Sequence, residues 1–165
     1  MTESAASILL HASCVALGDD AILILGASGS GKSDLVLGLI DQPGYGTGND
    51  LIRARLVSDD QTVIERRGDA LFATNPKPIA GLLEIRGQGI VAVDHVPEAR
   101  LTLVVRLVPA AEIERLPEAA TTNIAGVALR EIRIDPGQAT AAARIRAALT
   151  TPPCGEVRQN RQDVA

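Results

Sequence analysis

Lys32 and Ser33 close the run Gly26-Ala27-Ser28-Gly29-Ser30-Gly31-Lys32-Ser33, which has the spacing G-x-x-x-x-G-K-[ST]. A loop of this kind gathers successive backbone N–H groups into one concavity that holds phosphate oxygens. Its glycines supply the positive φ values and the close approach this needs. In such a loop Lys32 sits on the outer phosphates and the Ser33 hydroxyl on Mg²⁺. A second feature is the pair Asp59-Asp60, which ends an apolar run. One carboxylate of such a pair can hold a metal through water while the other takes a proton from an acceptor hydroxyl. An acidic turn after a strand is the plainer reading. The third feature is Glu84-Ile85-Arg86-Gly87-Gln88-Gly89-Ile90. If this stretch is extended, Glu84 and Arg86 point the same way and present a carboxylate for Mg²⁺ and a guanidinium for phosphate. A surface ion pair beside a glycine turn explains the same residues. His11, alone in an apolar stretch, is either structural or part of a site.

Elements must position these groups. Residues 7–17 read as one strand, 18–20 as a turn and 21–25 as the next strand, so a hairpin leads into the glycine-rich loop. Residues 33–41 read as a helix that buries Leu35, Val36, Leu39 and Ile40, and its N-terminal dipole reinforces an anion site. Residues 42–49, with three glycines and a proline, read as a flexible loop. A strand over 52–58 delivers Asp59 and Asp60. Residues 62–66 and 70–74 pair around Gly68-Asp69, and 79–83 reads as one or two helical turns. A short strand follows over 90–94, then a core strand over 101–108. A short helix fits 109–119, a loop 121–123 and a strand 127–134. Asp135 is placed as the N-cap of a helix over 138–149 whose Arg144 and Arg146 favour the C-terminal end of the dipole. The pattern is α/β in a single domain over residues 1–150, with a polar, frayed tail over 151–165.

Composition excludes several functions. The chain has 165 residues and a net charge of −4, with one Phe, one Tyr and no Trp. Without a basic run or aromatic platforms, nucleic acid is a poor partner. Apolar runs fall far short of a membrane span, and the N-terminus lacks the positive region of a signal peptide, so a cytoplasmic protein is expected. Cys14 and Cys154 form no C-x-x-C, and Cys14 in an apolar strand reads as a buried small hydrophobe. Only Lys32 and Lys77 are lysines among 16 Lys and Arg residues. That makes the lysine in the loop conspicuous.

In order, His11, the loop from Gly26 to Ser33 and Asp34, the run Leu56-Val57-Ser58-Asp59-Asp60, and the stretch from Leu82 to Ile90 resemble the catalytic domain of HPr kinase/phosphorylase. That family phosphorylates a serine of the phosphocarrier HPr and can also remove the phosphate. The match covers residues 7–108 and extends less clearly to Leu149. Residues 82–90 resemble the family signature and are more specific than the loop. The resemblance implies a fold similar to that of phosphoenolpyruvate carboxykinase, with a hairpin before the phosphate loop, and ATP and Mg²⁺ as cofactors. It implies that the loop Gly26, Ala27, Ser28, Gly29, Ser30, Gly31, Lys32, Ser33 and Asp34 binds nucleotide, with Lys32 on the β- and γ-phosphates. Ser33 and Glu84 bind Mg²⁺ with Asp59 beside it, and Asp60 is the general base. His11 and Arg86 belong to the active site. An HPr-like protein is the implied partner and a homo-hexamer the implied assembly.

Three departures qualify this. The match begins almost at Met1, which resembles short forms that keep only the catalytic domain. Residues 42–49 resemble an insertion. The family's Pro-Gly-Arg-Asn-type loop is best matched by Pro136-Gly137-Gln138, with glutamine where the arginine of the reverse reaction stands. Two other readings stay open at this point: an ATP-sensing module that transfers nothing, and a kinase for a small metabolite.

Overall fold

A computed structural model describes residues 6–150; the tail over 151–165, with Cys154, lies outside them. Eleven strands and two helices follow in the order β1 (Ser7–Leu10), β2 (Ser13–Leu17), β3 (Asp20–Leu25), α1 (Lys32–Asp41), β4 (Ala54–Ser58), β5 (Thr62–Arg67), β6 (Ala70–Thr74), β7 (Leu82–Ile85), β8 (Gly89–Ala92), β9 (Glu98–Leu107), β10 (Ala120–Ile124), β11 (Val127–Ile134) and α2 (Ala141–Thr150). Nine strands form one sheet in the order β1-β5-β6-β9-β3-β2-β4, with β11 also on β9 and β10 on β11. β7 and β8 make a separate hairpin.

β9 is the axis. Along one edge it runs parallel to β3, and along the other it meets β6 through residues 98–101 and then β11 through 103–107. β2, β3 and the Leu103–Val105 centre of β9 are buried almost without interruption because both faces of the sheet are covered there. One face packs Val15, Ile22, Ile24, Leu56, Leu103 and Val105 against Leu35, Val36 and Leu39 of α1 and Ile145 of α2, with Leu83 of the β7–β8 hairpin on top. The other buries Cys14, Leu23, Val57, Ile64, Leu71, Leu101 and Val104. Burial pushes the Cys14 thiol far up, so it is an inert core residue. Leu101 and Leu103 lie in different clusters although strand alternation would put them on one side. The β3–β9 register steps between Ala21 and Ile22, leaving Thr102 as an extra residue that swaps the faces.

Several expectations change. The strand over 7–17 is two strands, broken at His11 and Ala12, because β1 pairs with β5 while β2 pairs with β3 and β4. Residues 121–123 are strand β10, not a loop, since the β11 ladder fixes them from Ala120↔Glu131 to Ile124↔Val127. Residues 109–119 hold only a 3₁₀ turn at Ala110–Glu112. Residues 79–83 are the end of a 3₁₀ turn followed by β7. The loop over 42–49 packs on α2: Thr47 N–H donates to Thr150 Oγ1 at 3.1 Å. A Cβ on Gly46 would strike the Arg146 backbone. Asp135 accepts the Gly137 N–H at 2.9 Å and so closes an Asx turn; it stands six residues before α2 begins at Ala141 and is not its N-cap. Arg146 is buried, and its guanidinium donates to Leu39 O at 2.9 Å and Ile52 O at 3.1 Å.

One ion pair gives the fold a pH signature. Arg106 donates twice to Glu131, at 3.0 Å each, and Thr122 Oγ1 adds a third hydrogen bond. Burial alone raises the Glu131 carboxyl, but Arg106 and Thr122 more than offset it and hold the group below its ordinary value of 4.5. A depressed folded-state value means the contribution is complete above the unfolded value and is lost as pH falls through the folded one. The melting temperature is therefore expected to drop below about pH 4.5, and Arg106→Gln should show a shallower drop; equal slopes would remove this pair from the acid response.

Candidate active site

β3 ends at Leu25 and α1 starts at Lys32, so the six residues between must reverse the chain. Gly29 and Gly31 do so at φ +77° and +100°. A Cβ on Gly26 would run into Ser30 Oγ and Leu107. The Ser30 N–H donates to Ala27 O at 3.0 Å and tightens the turn. The loop is thus held as a fixed cradle at the positive end of α1. Lys32 is 6% exposed. Its ammonium donates to Gly26 O at 2.8 Å and Ala27 O at 3.1 Å, which fixes a positive charge inside the loop.

Asp59 is the hub of the acidic side. It is 8% exposed, and three donors hold it: Ser13 Oγ and Ser33 Oγ, each 3.2 Å from Oδ1, and the Glu84 N–H at 3.1 Å from Oδ2. Four separate elements therefore meet on one carboxylate: β2, α1, the end of β4 and β7. Asp60 differs in every respect. Its carboxylate is exposed, and His11 Nδ1 stands 3.5 Å from Oδ1. Its φ is +62°, and the Gln61 N–H bonds back to Asp59 O at 2.7 Å. A bond from i+2 to i around a positive-φ residue is a γ-turn of the strained kind, uncommon for a residue with a side chain. Strain of this sort costs on the order of 1–3 kcal/mol.

One cleft of about 220 Å³ collects Ser28, Gly29, Gly31, Lys32, Ser33, Asp34, Asp59, Asp60, Glu84 and Arg86. The loop, the acidic pair and the segment after β7 are thereby brought together. Glu84 lies in β7 and Arg86 in the turn that joins it to β8, so the two reach the cleft from a hairpin end rather than along one extended strand. His11 stands at the rim beside Asp60. Of the loop residues, Gly26, Ala27 and Ser30 shape the turn without lining the cleft. Gln138 is not among its lining residues, and its Oε1 is buried without a partner. Pro136, two residues earlier, packs on the loop, within 3.1 Å of where a Cβ on Gly31 would stand. Sequence reading missed Ser13. The available signal was a hydroxyl two residues after His11 in an otherwise apolar stretch.

The cleft carries two cations, Lys32 and Arg86, against Asp34, Asp59, Asp60 and Glu84. A bare polyphosphate would meet net repulsion there, and a divalent cation would remove it. Oxygen donors from Ser33, Asp59 and Glu84 suit Mg²⁺, which takes one or two carboxylates and completes its shell with water and substrate phosphates. Among the described residues no three His, Cys, Asp or Glu side chains group to hold a metal unaided. The cleft matches a polyphosphate in size and is smaller than the usual small-molecule pocket. A larger cleft of about 900 Å³ opens at the other end of β3, around Asp19, Asp50, Arg53 and Asp94. It holds none of these groups.

The described residues thus form a mixed α/β domain in which a glycine-rich loop faces a carboxylate pair. Residues 2–151 match the HPr Serine kinase C-terminal domain, and the chain belongs to that family. Curated relatives include HPr kinase/phosphorylase of Prosthecochloris aestuarii, 32% identical over 142 residues, which cover 78% of this chain and 39% of the relative. The HPr kinase/phosphorylase of Exiguobacterium sibiricum is 40% identical over 92 residues, 55% of this chain and 26% of the relative. The chain thus spans well under half the length of these relatives. The solved structure of the Hpr(Ser) kinase/phosphatase from Coxiella burnetii shares the fold, with a TM-score of 0.69 at 23% identity, over 94% of this chain and 97% of that one. Among the described residues no helix is long and apolar enough to cross a membrane.

Proposed function

We propose that this chain is an ATP- and Mg²⁺-dependent kinase that phosphorylates a serine of an HPr-like phosphocarrier, in the cytoplasm and as a homo-oligomer. The observation that carries it is the asymmetry of the acidic pair: Asp59 buried under three donors, Asp60 exposed beside His11 on the same cleft as Lys32. Asp59 has no free oxygen for a proton. Asp60 has one, exposed at the cleft.

In this reading the loop N–H groups and Lys32 hold the β- and γ-phosphates and neutralise charge that develops on transfer. Mg²⁺, held by Ser33 and Glu84 with Asp59 behind them, supplies electrostatic stabilisation of the phosphates when bound. Arg86 reaches phosphate from the opposite wall. The acceptor serine hydroxyl gives its proton to an Asp60 carboxylate oxygen as its own oxygen bonds to the γ-phosphorus, and the bond to the β-phosphate oxygen breaks. His11 orients Asp60 from behind. The proposal concerns the forward direction, because glutamine stands at 138 where the resembled family has arginine, and Gln138 does not line the cleft.

The test is direct. Purified protein with ATP, Mg²⁺ and HPr should yield phosphoserine on HPr by mass spectrometry; ATP binding without transfer would reject HPr as the acceptor. Lys32→Ala should weaken ATP binding roughly 10- to 100-fold, the loss of one charged hydrogen bond, as read by calorimetric titration. Unchanged affinity would remove Lys32 from the phosphate site.

A further inference from the structure

Asp59 and Asp60 are chain neighbours, yet one carboxylate points inward and the other outward. The backbone ladder does not arrange this. Its last pair between β2 and β4 is Cys14↔Ser58, just after a register shift that leaves Val57 as an extra residue. Beyond it the Ser13 side chain continues the connection. Ser13 Oγ accepts the Asp60 N–H at 3.2 Å and donates to Asp59 Oδ1 at 3.2 Å. One hydroxyl carries one hydrogen and two lone pairs, so both bonds form at once. Ser13 is fully buried, so water does not replace it. Two further side chains brace the corner: Thr62 Oγ1 donates to Ala12 O at 2.8 Å, and Ser58 Oγ donates to Gln61 O. Neither touches an acidic residue. Strained backbone persists where its surroundings over-determine it, and among the described residues the side-chain bond to the N–H of Asp60 comes from Ser13.

We propose that Ser13 is a positioning residue for phosphoryl transfer. Its hydroxyl holds Asp60 in the left-handed turn that keeps its carboxylate beside His11 at the cleft, and holds Asp59 against Ser33. This rests on the kinase reading given above. It goes beyond it in assigning the division of labour between the two carboxylates to a single buried hydroxyl.

Ser13→Ala is expected to lower kcat for HPr phosphorylation roughly 10- to 100-fold, the scale of a group displaced by about an ångström. KM for ATP and the melting temperature stay near those of the wild type. In an Asp60→Asn background the same substitution should cost less than it does in the wild type, because one of the two carboxylates it positions no longer takes a proton. Wild-type turnover in Ser13→Ala, or its full loss repeated on top of Asp60→Asn, overturns the proposal. If Ser13→Ala melts early, Ser13→Thr keeps the hydroxyl and should restore turnover; a threonine variant as slow as the alanine one also overturns it. A crystal structure of nucleotide-free Ser13→Ala gives a reading independent of the acceptor. Asp60 should leave positive φ and separate from His11, and an unchanged turn sinks the proposal. Failure of the kinase reading looks different: the wild type itself then transfers no phosphate to HPr.

Discussion

Asp60→Asn lowers phosphoryl transfer to HPr by roughly 10²- to 10⁴-fold, the usual worth of a general base, and leaves ATP-Mg²⁺ affinity unchanged. The size follows from geometry. Asparagine keeps the volume and a hydrogen-bonding oxygen, and it tolerates positive φ as well as aspartate does. The γ-turn, the Gln61–Asp59 bond and the Ser13 bond to residue 60 therefore survive. What disappears is the ability to take a proton from the acceptor hydroxyl. In the proposed reading affinity is spared because the groups assigned to phosphate are Lys32, the loop and Arg86, and the residue bonded to Ser33 is Asp59 rather than Asp60. Steady-state phosphorylation of HPr with calorimetric ATP binding separates the two quantities. A variant that transfers at the wild-type rate would move the base elsewhere on the cleft; one that loses ATP binding would make Asp60 part of the metal shell.

Arg146→Ala destabilises the domain by about 3 kcal/mol. Arg146 is 1% exposed, the largest fully buried side chain of the described residues. Its guanidinium satisfies Leu39 O, near the end of α1, and adds a second donor to Ile52 O, on the approach to β4, which also accepts the Gly44 N–H at 3.4 Å. Burial pushes its own pKa down, which marks the cost of keeping this charge inside. Removing the cation relieves that cost but leaves the Leu39 carbonyl unsatisfied and opens a cavity, and those two losses win. Arg146→Met fills most of the volume and still strands the Leu39 carbonyl, so it should recover only part of the loss. Urea unfolding of the three proteins measures this directly. A methionine variant as stable as the wild type would show that packing, not hydrogen bonding, is what Arg146 contributes.

The elements that were legible in the sequence are those whose causes are local. The glycine-rich loop is written in its own residues, because Gly29 and Gly31 are needed at positive φ wherever such a turn occurs. The β5–β6 hairpin, the long apolar β9 and the α1 stripe follow the same rule. What was illegible depends on distant partners. Nothing in residues 7–17 announces the break at His11, because Ser7–Leu10 is drawn away by β5, more than fifty residues later. That break is what turns His11 toward Asp60. Thr121, Thr122 and Asn123 look like a loop because they are polar, but β11 supplies the ladder that makes them a strand. Arg146 looks like a dipole-favouring surface cation, and only the unsatisfied carbonyl at Leu39 explains why it turns inward. In the site, the residue types of the acidic pair pointed to chemistry. Which of the two carboxylates is buried was decided by Ser13 and by the Glu84 N–H, neither of which sequence spacing connects to Asp59.

α1 is gripped at both ends by the segment around α2: Pro136 rests on Gly31 at its start, and Arg146 bonds Leu39 near its finish. This has a consequence for how the protein is made. The helix and its glycine-rich loop leave the ribosome long before their clamp, since Arg146 lies 107 residues after Leu39. Early in synthesis the phosphate cradle has its sequence but not its braces. Closing so long a chain segment is slow compared with forming a helix. The cradle therefore acquires its final shape as one of the last events of folding, together with the C-terminal helix rather than with the strand that precedes it.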